Sequence, residues 1–317
     1  MQQPIFSPVF SIIIPTYNRP ERLATCLGAI AQLDYPRVQF EVIVVDDGSQ
    51  EPLEATVATV RDGLRSTGDH RLNLTLIRQA NAGPAAARNT GAAQARGQFL
   101  VFTDDDCLPA PDWLSTLAVR FQAAPESLIG GQTLNALPDN LYSTASQILI
   151  DYLYDYYNAK SIQPNFFASN NFALATDRFR ALGGFDTSFP LAAGEDREFC
   201  DRWLHHGYPM LYAPEVQIAH AHHLTFAKFW RQHFNYGRGA FCFHQVRAKR
   251  AQDRIRVEPW SFYFNLLTYP FRRATAQPPI LLAGLLWLSQ VANVGGFFWE
   301  RSRQATQPAT LSTKVPQ

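Results

Sequence analysis

At 317 residues the chain is long enough for one α/β domain and a substantial C-terminal extension. Its 46% hydrophobic and 17% charged residues supply a large core and exclude wholesale disorder. A formal net charge of +1, from 28 Lys+Arg and 27 Asp+Glu, gives no global attraction to nucleic acid, and no nucleic-acid partner is expected.

The N-terminus, Met1-Gln2-Gln3-Pro4, lacks the basic and apolar regions of a secretory signal, which predicts a cytoplasmic domain. Residues 10–14 form an apolar run that ends at Pro15 and reads as a strand. A helix follows over 21–33, with Leu23, Leu27 and Ile30 on one face, and Cys26 lies within it. Cys26, Cys107, Cys200 and Cys242 are far apart and form no CxxC pair, so a reducing compartment is expected rather than a disulfide framework or zinc knuckle. The β-branched run 41–45 predicts a second strand, which breaks into Asp46-Asp47-Gly48-Ser49. A helix over 52–65, a strand over 72–77, an Ala-rich helix over 85–95 and a strand over 98–103 continue the alternation. That order predicts an α/β fold with a Rossmann-like, mostly parallel sheet flanked by helices.

From 128 to 220 the pattern is mixed. A tyrosine-rich amphipathic helix is predicted over 142–157 and a short strand over 172–175. Gly194-Glu195-Asp196 opens a helix through about 206, and short strands are predicted over 208–212 and 216–220. After 224 aromatic residues alternate with basic ones, and 279–299 carries no charge.

In parallel sheets ligands bind beyond the carboxyl ends of the strands. Three predicted strands end in Pro15-Thr16-Tyr17-Asn18, Asp46-Asp47-Gly48-Ser49 and Asp104-Asp105-Asp106, which pool up to five carboxylates at one edge. Adjacent carboxylates behind a buried strand repel one another and lose solvation, so the ionised triplet Asp104-Asp105-Asp106 calls for a cation. Mg²⁺ or Mn²⁺ takes oxygen ligands and shares them with substrate phosphates. The competing reading, a solvated acidic turn, is weakened by the strand that fixes the triplet's direction. Asp46 and Asp47, at a neighbouring strand end, can accept a hydrogen bond from a base or ribose. Residues 81–89 open a helix whose N–H groups and Arg88 can hold an anion, although a plain loop before a surface helix fits equally. Neither GxxxxGK nor GxGxxG spacing is present, so neither a P-loop ATPase nor a dinucleotide site is supported.

Glu195 and Asp196 at a helix start serve either as caps or as acid–base groups. Transfer to a hydroxyl needs a base near the acceptor proton, which makes Asp196 the candidate, with Glu195 positioning it or the acceptor. His220, His222 and His223 follow a short strand, and His220, with His222 next, is the candidate imidazole ligand of the metal.

With Arg19 after the first cluster, and Gly183-Gly184-Phe185-Asp186 before the last, six motifs stand in the order seen in family 2 glycosyltransferases. The chain resembles that family over roughly residues 8–240. The resemblance implies a GT-A fold and inverting transfer from a nucleotide-diphosphate sugar. It implies that Thr16, Tyr17, Asp46 and Asp47 surround the base and ribose, with Pro15, Arg19, Arg88, Asp104 and Asp105 also on the nucleotide sugar. Asp104 and Asp106 match the family's Asp-x-Asp motif, which with His220 gives the expected metal set. Asp196 matches the catalytic base, and Asn170 and Asn171 resemble a segment lining the sugar pocket. The metal and Arg88 would neutralise the leaving diphosphate. Processive members resembling cellulose synthase carry Gln-x-x-Arg-Trp, whereas this chain reads Gln232-His233-Phe234-Asn235-Tyr236-Gly237-Arg238-Gly239. Single addition to a saccharide or lipid-linked acceptor is therefore expected, and Arg238 reads as a structural helix residue.

The expected layout is a catalytic domain over 1–224, divided into a nucleotide-binding half (8–110) and an acceptor and base half (111–224). An amphipathic, interfacial helical region over 225–275, a hydrophobic helix over 276–303 and a disordered tail over 304–317 follow. The apolar stretch is long enough to span a bilayer, and Trp287, Trp299, Arg272, Arg273, Arg301 and Arg303 suit interfacial positions. A buried helix, or one lying in the interface, is the alternative. Membrane association at the cytoplasmic face is expected, with a soluble cytoplasmic enzyme as the other reading. Two rival functions remain: a sugar nucleotidyltransferase, which would show a Gly-rich basic N-terminal loop, and a non-catalytic nucleotide-sugar-binding scaffold, against which the intact carboxylates argue.

Overall fold

The computed structural model describes residues 8–66, 72–159, 164–189, 193–251 and 258–306. Its first half alternates as the sequence predicts: β1 (Phe10–Thr16), α1 (Pro20–Ile30), β2 (Phe40–Asp46), α2 (Glu54–Ser66), β3 (Leu74–Arg78), α3 (Pro84–Gln94) and β4 (Phe99–Phe102). Then come β5 (Cys107–Pro109), α4 (Trp113–Ala123), β6 (Leu128–Asn135), α5 (Leu141–Tyr154), β7 (Phe172–Ala175) and α6 (Thr176–Ala181). The rest is α7 (Glu195–His205), β8 (Met210–His220), α8 (Phe226–Ala251), α9 (Trp260–Thr268) and α10 (Pro279–Thr306).

One eight-stranded sheet has the order β3-β2-β1-β4-β7-β6-β8-β5. β3, β2, β1 and β4 are parallel, and only β7 and β5 run against the other strands. The central strands read as continuous apolar runs because both faces are covered. Ile12 and Ile14 pack with Leu23, Leu27, Trp113 and Leu117 of α1 and α4. Ile13, pointing the other way, joins Ala87 and Ala92 of α3 and Phe199 and Trp203 of α7. Pro15 lies in β1 beyond Ile13, the last residue paired with β4, so its missing N–H interrupts no ladder on that side.

Three differences from the sequence expectation have physical causes. The two short strands expected over 208–212 and 216–220 are one strand, β8. Its pairing with β6 shifts register, Gly131 facing Ala213 and Gln132 facing Gln217, and Pro214 sits in the intervening bulge. β5 and β6 carried no sequence signal: one has three residues, and the other breaks its apolar start with Gly130-Gly131-Gln132. α1 stops at Ile30 rather than 33. Of the disordered tail expected over 304–317, residues 304–306 instead continue α10, and the rest, like the N-terminal stretch 1–7, lies outside the described residues.

The C-terminal helices pack on the catalytic layers. Arg250 of α8 pairs with Asp201 of α7 at 2.7 Å and also with Glu198. α10 crosses α8 closely enough that a Cβ on Gly237 would lie 1.8 Å from the Asn293 carbonyl oxygen, and one on Gly296 1.9 Å from that of Phe234. Arg238 pairs with buried Glu300 at 2.8 Å and lies 4.3 Å from the Trp299 ring centre, so it is a structural residue as expected. α10 is long and apolar enough to cross a membrane, yet one side of it is buried in the protein. The other side exposes Ile280, Leu281, Trp287, Val291, Val294 and Phe298.

The crossing gives a test with an internal control. Gly296→Val should lower unfolding stability by about 2 kcal/mol, the cost of overpacking a tight contact. Gly284→Val, where a Cβ meets nothing within 4 Å, should stay within the smaller helix-propensity effect. Urea unfolding of both variants measures this; equal losses would contradict the crossing.

Candidate active site

β4 delivers the acidic triplet to the carboxyl edge of the sheet, where each carboxylate takes a different partner. Asp105 is buried, accepts from Thr16 Oγ1 at 2.7 Å and lies 3.1 Å from the Arg19 guanidinium. Burial pushes its pKa up to about 6; Arg19 and Thr16 pull down while Asp106 and Asp104 push up. Asp106 meets Arg22 at 2.8 Å, Arg19 at 3.5 Å and His220 Nε2 at 3.1 Å. Burial opposes its charge, but the His220 hydrogen bond and the nearby cations hold it well below the usual carboxylate range. Burial likewise disfavours a charged His220, and Asp106 outweighs it, raising the imidazole pKa.

Asp104 turns away from this cluster to Arg88, 2.7 Å away. Ligand atoms of Asp106, Cys107 and His220 lie within 4.8 Å of one another, and Asp104 is not part of that group. A carboxylate oxygen and an imidazole nitrogen at 3.1 Å are donors that suit Mn²⁺ or Mg²⁺ shared with phosphate oxygens. Of the expected metal set, the structure thus brings Asp106 and His220 together and leaves Asp104 on Arg88.

Arg88 is 4% exposed and joins the two halves of the site. Its other nitrogen lies 3.3 Å from Glu195 at the start of α7. Burial would lower its pKa, but Asp104 and Glu195 raise it. Gly194 supplies the left-handed cap of α7 (φ 93°), where a Cβ would stand 3.0 Å from the Gly239 carbonyl oxygen. Glu195 and Asp196 share this confined corner. Burial raises both, and each raises or is held back by neighbours: Asp196 pushes Glu195 up and Arg88 restrains it, while the Arg197 amide and Arg88 restrain Asp196. Among the described residues, Glu195 Oε2 is buried without a hydrogen-bond partner.

The remaining expected residues divide into open and committed groups. Tyr17 is 45% exposed beside β1, and Pro15 and Arg19 are also accessible. Asn18 takes a positive φ of 54° and links the β1 and β2 tips, its amide donating to Ser49 Oγ at 2.8 Å. Asp46 is buried, accepting from the Ser49 amide at 2.8 Å. Asp47 holds the 81–83 loop through the amides of Ala82 (2.9 Å) and Gly83 (2.8 Å) and through Gln79 (2.7 Å). Asn171 is also committed: it donates to the carbonyls of Gln132 and Val216 and accepts from Trp113 Nε1 at 2.9 Å. Asn170, by contrast, lines the cavity described next.

A cavity of about 750 Å³ opens between the catalytic layers and the C-terminal helices. Arg88, Asp104, Asn170, Glu195, Asp196 and His220 form its polar end. Gln232 and Tyr236 of α8 and His222 also line it. Gln232 donates to Tyr236 and to Ser146, while its carbonyl oxygen is buried and unpartnered among the described residues. Sequence reading missed Arg22, Gln232 and Tyr236. Arg22, in the first turn of α1, was signalled by its place three residues after Arg19, whereas the α8 pair depends on how that helix packs.

Known proteins resemble this chain in sequence and in fold. Residues 11–182 match the model of glycosyl transferase family 2, and residues 99–299 that of glycosyl transferase family group 2. The glycosyltransferase AglE of Haloferax volcanii is 29% identical over 237 residues, covering 73% of each chain. The validoxylamine A glucosyltransferase of Streptomyces hygroscopicus subsp. jinggangensis is 30% identical over 236 residues, 66% of this chain and 54% of that protein, so the chain spans about half its length. A solved mannosyltransferase from Pyrobaculum calidifontis, in complex with GDP-Man and Mn²⁺, shares the fold: TM-score 0.60, 22% identity, 95% of this chain and 81% of that one. The chain belongs to glycosyltransferase family 2 and has its GT-A architecture.

Proposed function

We propose that the chain moves a sugar from a nucleotide-diphosphate donor to a hydroxyl acceptor by a single inverting displacement, with Asp196 as general base. The observation that carries this reading is the shared cavity wall: Asp196 and Glu195 stand on the same surface as Asp104 at the strand tips. Thr16, Tyr17 and Asp46 flank the place for the nucleoside, and Asn170 that for the sugar. Asp47 acts behind them, by fixing the 81–83 loop.

The acceptor oxygen gives its proton to the Asp196 carboxylate and bonds to the anomeric carbon as the bond to the diphosphate oxygen breaks. One displacement without an enzyme nucleophile inverts the anomeric centre. Glu195 Oε2, buried and unpartnered, is placed to accept from an acceptor hydroxyl. Arg88 keeps the two carboxylate groups apart in charge and sits beside the diphosphate. Asp106 and His220, with Asp104 swinging from Arg88, would hold a divalent cation, which when bound neutralises charge on the leaving diphosphate. The exposed apolar side of α10 supports attachment at a membrane surface, where the acceptor would be met.

Asp196→Asn should lower transfer by at least about 10²-fold, the scale of a lost general base, with donor affinity retained. The wild-type rate should rise with pH to a plateau, with its midpoint above the ordinary carboxylate range because burial raises Asp196. Initial rates across a nucleotide-sugar panel measure both; a variant as fast as wild type would sink the assignment.

Metal dependence is checked separately. EDTA should abolish donor turnover, added Mn²⁺ or Mg²⁺ should restore it, and His220→Ala should raise the metal concentration needed about tenfold or more. Full turnover in excess EDTA would contradict the metal role.

A further inference from the structure

Each carboxylate of the acidic triplet already has a guanidinium beside it. Asp104 meets Arg88 at 2.7 Å, Asp105 meets Arg19 at 3.1 Å and Asp106 meets Arg22 at 2.8 Å. Arg88 and Arg19 each reach a second acid, Glu195 for the first and Asp106, at 3.5 Å, for the second. Among the described residues Arg22 pairs with Asp106 alone. Its place in the sequence needs that partner. Arg22 is the third residue of α1, and a cation in the first turn opposes the helix dipole, which favours acids there. The Asp106 side chain is 5% exposed and that of Arg22 31%, so the pair lies mostly out of water, where each charge must offset the other.

The two oxygens of Asp106 face different groups. Oδ2 takes both guanidiniums, Arg22 at 2.8 Å and Arg19 at 3.5 Å. Oδ1 faces His220 Nε2 at 3.1 Å, close to the roughly 3 Å between neighbouring ligands of an octahedral ion with bonds of about 2.1 Å. Among the described residues His220 and Asp104 line the cavity, whereas Arg19 and Arg22 do not. A cation arriving through the cavity therefore meets Oδ1 and the imidazole, and Arg22 keeps its place on the other oxygen. Arg22 then acts on the ion by charge alone, one carboxylate away, in surroundings that screen it less than water does.

We propose that Arg22 is a fixed counter-ion of Asp106 that keeps the affinity for a lone divalent cation low, so that the cation is held firmly only together with a diphosphate. Arg22 is a positioning residue: it acts through Asp106 and touches neither donor nor acceptor. Without a diphosphate, the guanidiniums already paired with the triplet oppose the incoming ion. A diphosphate completes the ion's oxygen ligands and offsets those charges. The inference rests on the metal reading above and adds to it the residue that sets when the metal binds.

The test uses the full chain with two probes, Mn²⁺ alone and Mn²⁺ with inorganic pyrophosphate. The EPR signal of free Mn²⁺, at one fixed pH, gives the affinity for the lone ion. Arg22→Gln should tighten Mn²⁺ binding about tenfold, because one opposing charge is gone. Arg22→Lys, which restores the charge, should bring it back to within about twofold of wild type. Asp106→Asn should weaken binding at least about tenfold and leave Arg22→Gln without further effect. Thermal unfolding reads the part played by the diphosphate. Mn²⁺ alone should raise the midpoint of Arg22→Gln but barely that of wild type, which should respond to Mn²⁺ with pyrophosphate. Loss of a merely structural ion pair would weaken Mn²⁺ binding in Arg22→Gln, and that result overturns the proposal. A wild type stabilised equally by Mn²⁺ with and without pyrophosphate overturns it too. Unchanged Mn²⁺ binding in Asp106→Asn overturns the metal reading and this inference with it. A clear Asp106→Asn loss without any gain in Arg22→Gln overturns only the part assigned to Arg22.

Discussion

A guanidinium removed from water must be paired, and the pairing of Arg88 organises this molecule. One end meets Asp104 at the tip of β4, the other Glu195 at the start of α7. Those carboxylates stand on elements far apart in the chain, so one buried cation fixes their spacing. Arg88 is itself placed by a chain of constraints. Asp47 holds the amides of Ala82 and Gly83, which set the start of α3, and α3 carries Arg88 inward against Phe185. Asp47, expected on the nucleotide, holds in this structure the loop that leads into the helix carrying Arg88.

The C-terminal helices belong to the same object. Gly239 of α8 packs on Gly194, the cap from which Glu195 and Asp196 project. Gln232 and Tyr236 of the same helix close the cavity, and α10 closes it further out while keeping an apolar face outward. The exposed apolar face of α10 and its share of the cavity wall follow from one close crossing at Gly237 and Gly296.

Much of this was legible in the residues. Strand tips are revealed by an apolar run breaking into acids, and that signal located Asp46, Asp47 and the Asp104–Asp106 triplet at one edge. Helix starts reveal themselves equally well, and Glu195 with Asp196 stands where the sequence puts it. Partner choice was not legible. Nothing local says that Asp104 turns to Arg88 while Asp106 turns to His220 and Arg22, because the choice is set by three separate elements. Asn170 and Asn171 are adjacent, but one lines the cavity and the other is used up bridging β6, β8 and α4. The turn before β7 sends them apart: Asn171 reaches the β8 bulge at the Val216 carbonyl, while Asn170 accepts from Thr133 at the cavity wall. The strand β8 itself was read as two, since Pro214 looks like a break until the partner strand is known.

The central claim, that Arg88 couples the two carboxylate groups, is tested most directly by a double-mutant cycle in urea unfolding. Arg88→Met alone strands two carboxylates and should cost about 3–5 kcal/mol. Adding Glu195→Gln removes one stranded charge and should recover part of that loss, giving a coupling energy of at least about 1 kcal/mol. Strictly additive losses would show that Arg88 and Glu195 act independently and would contradict the account.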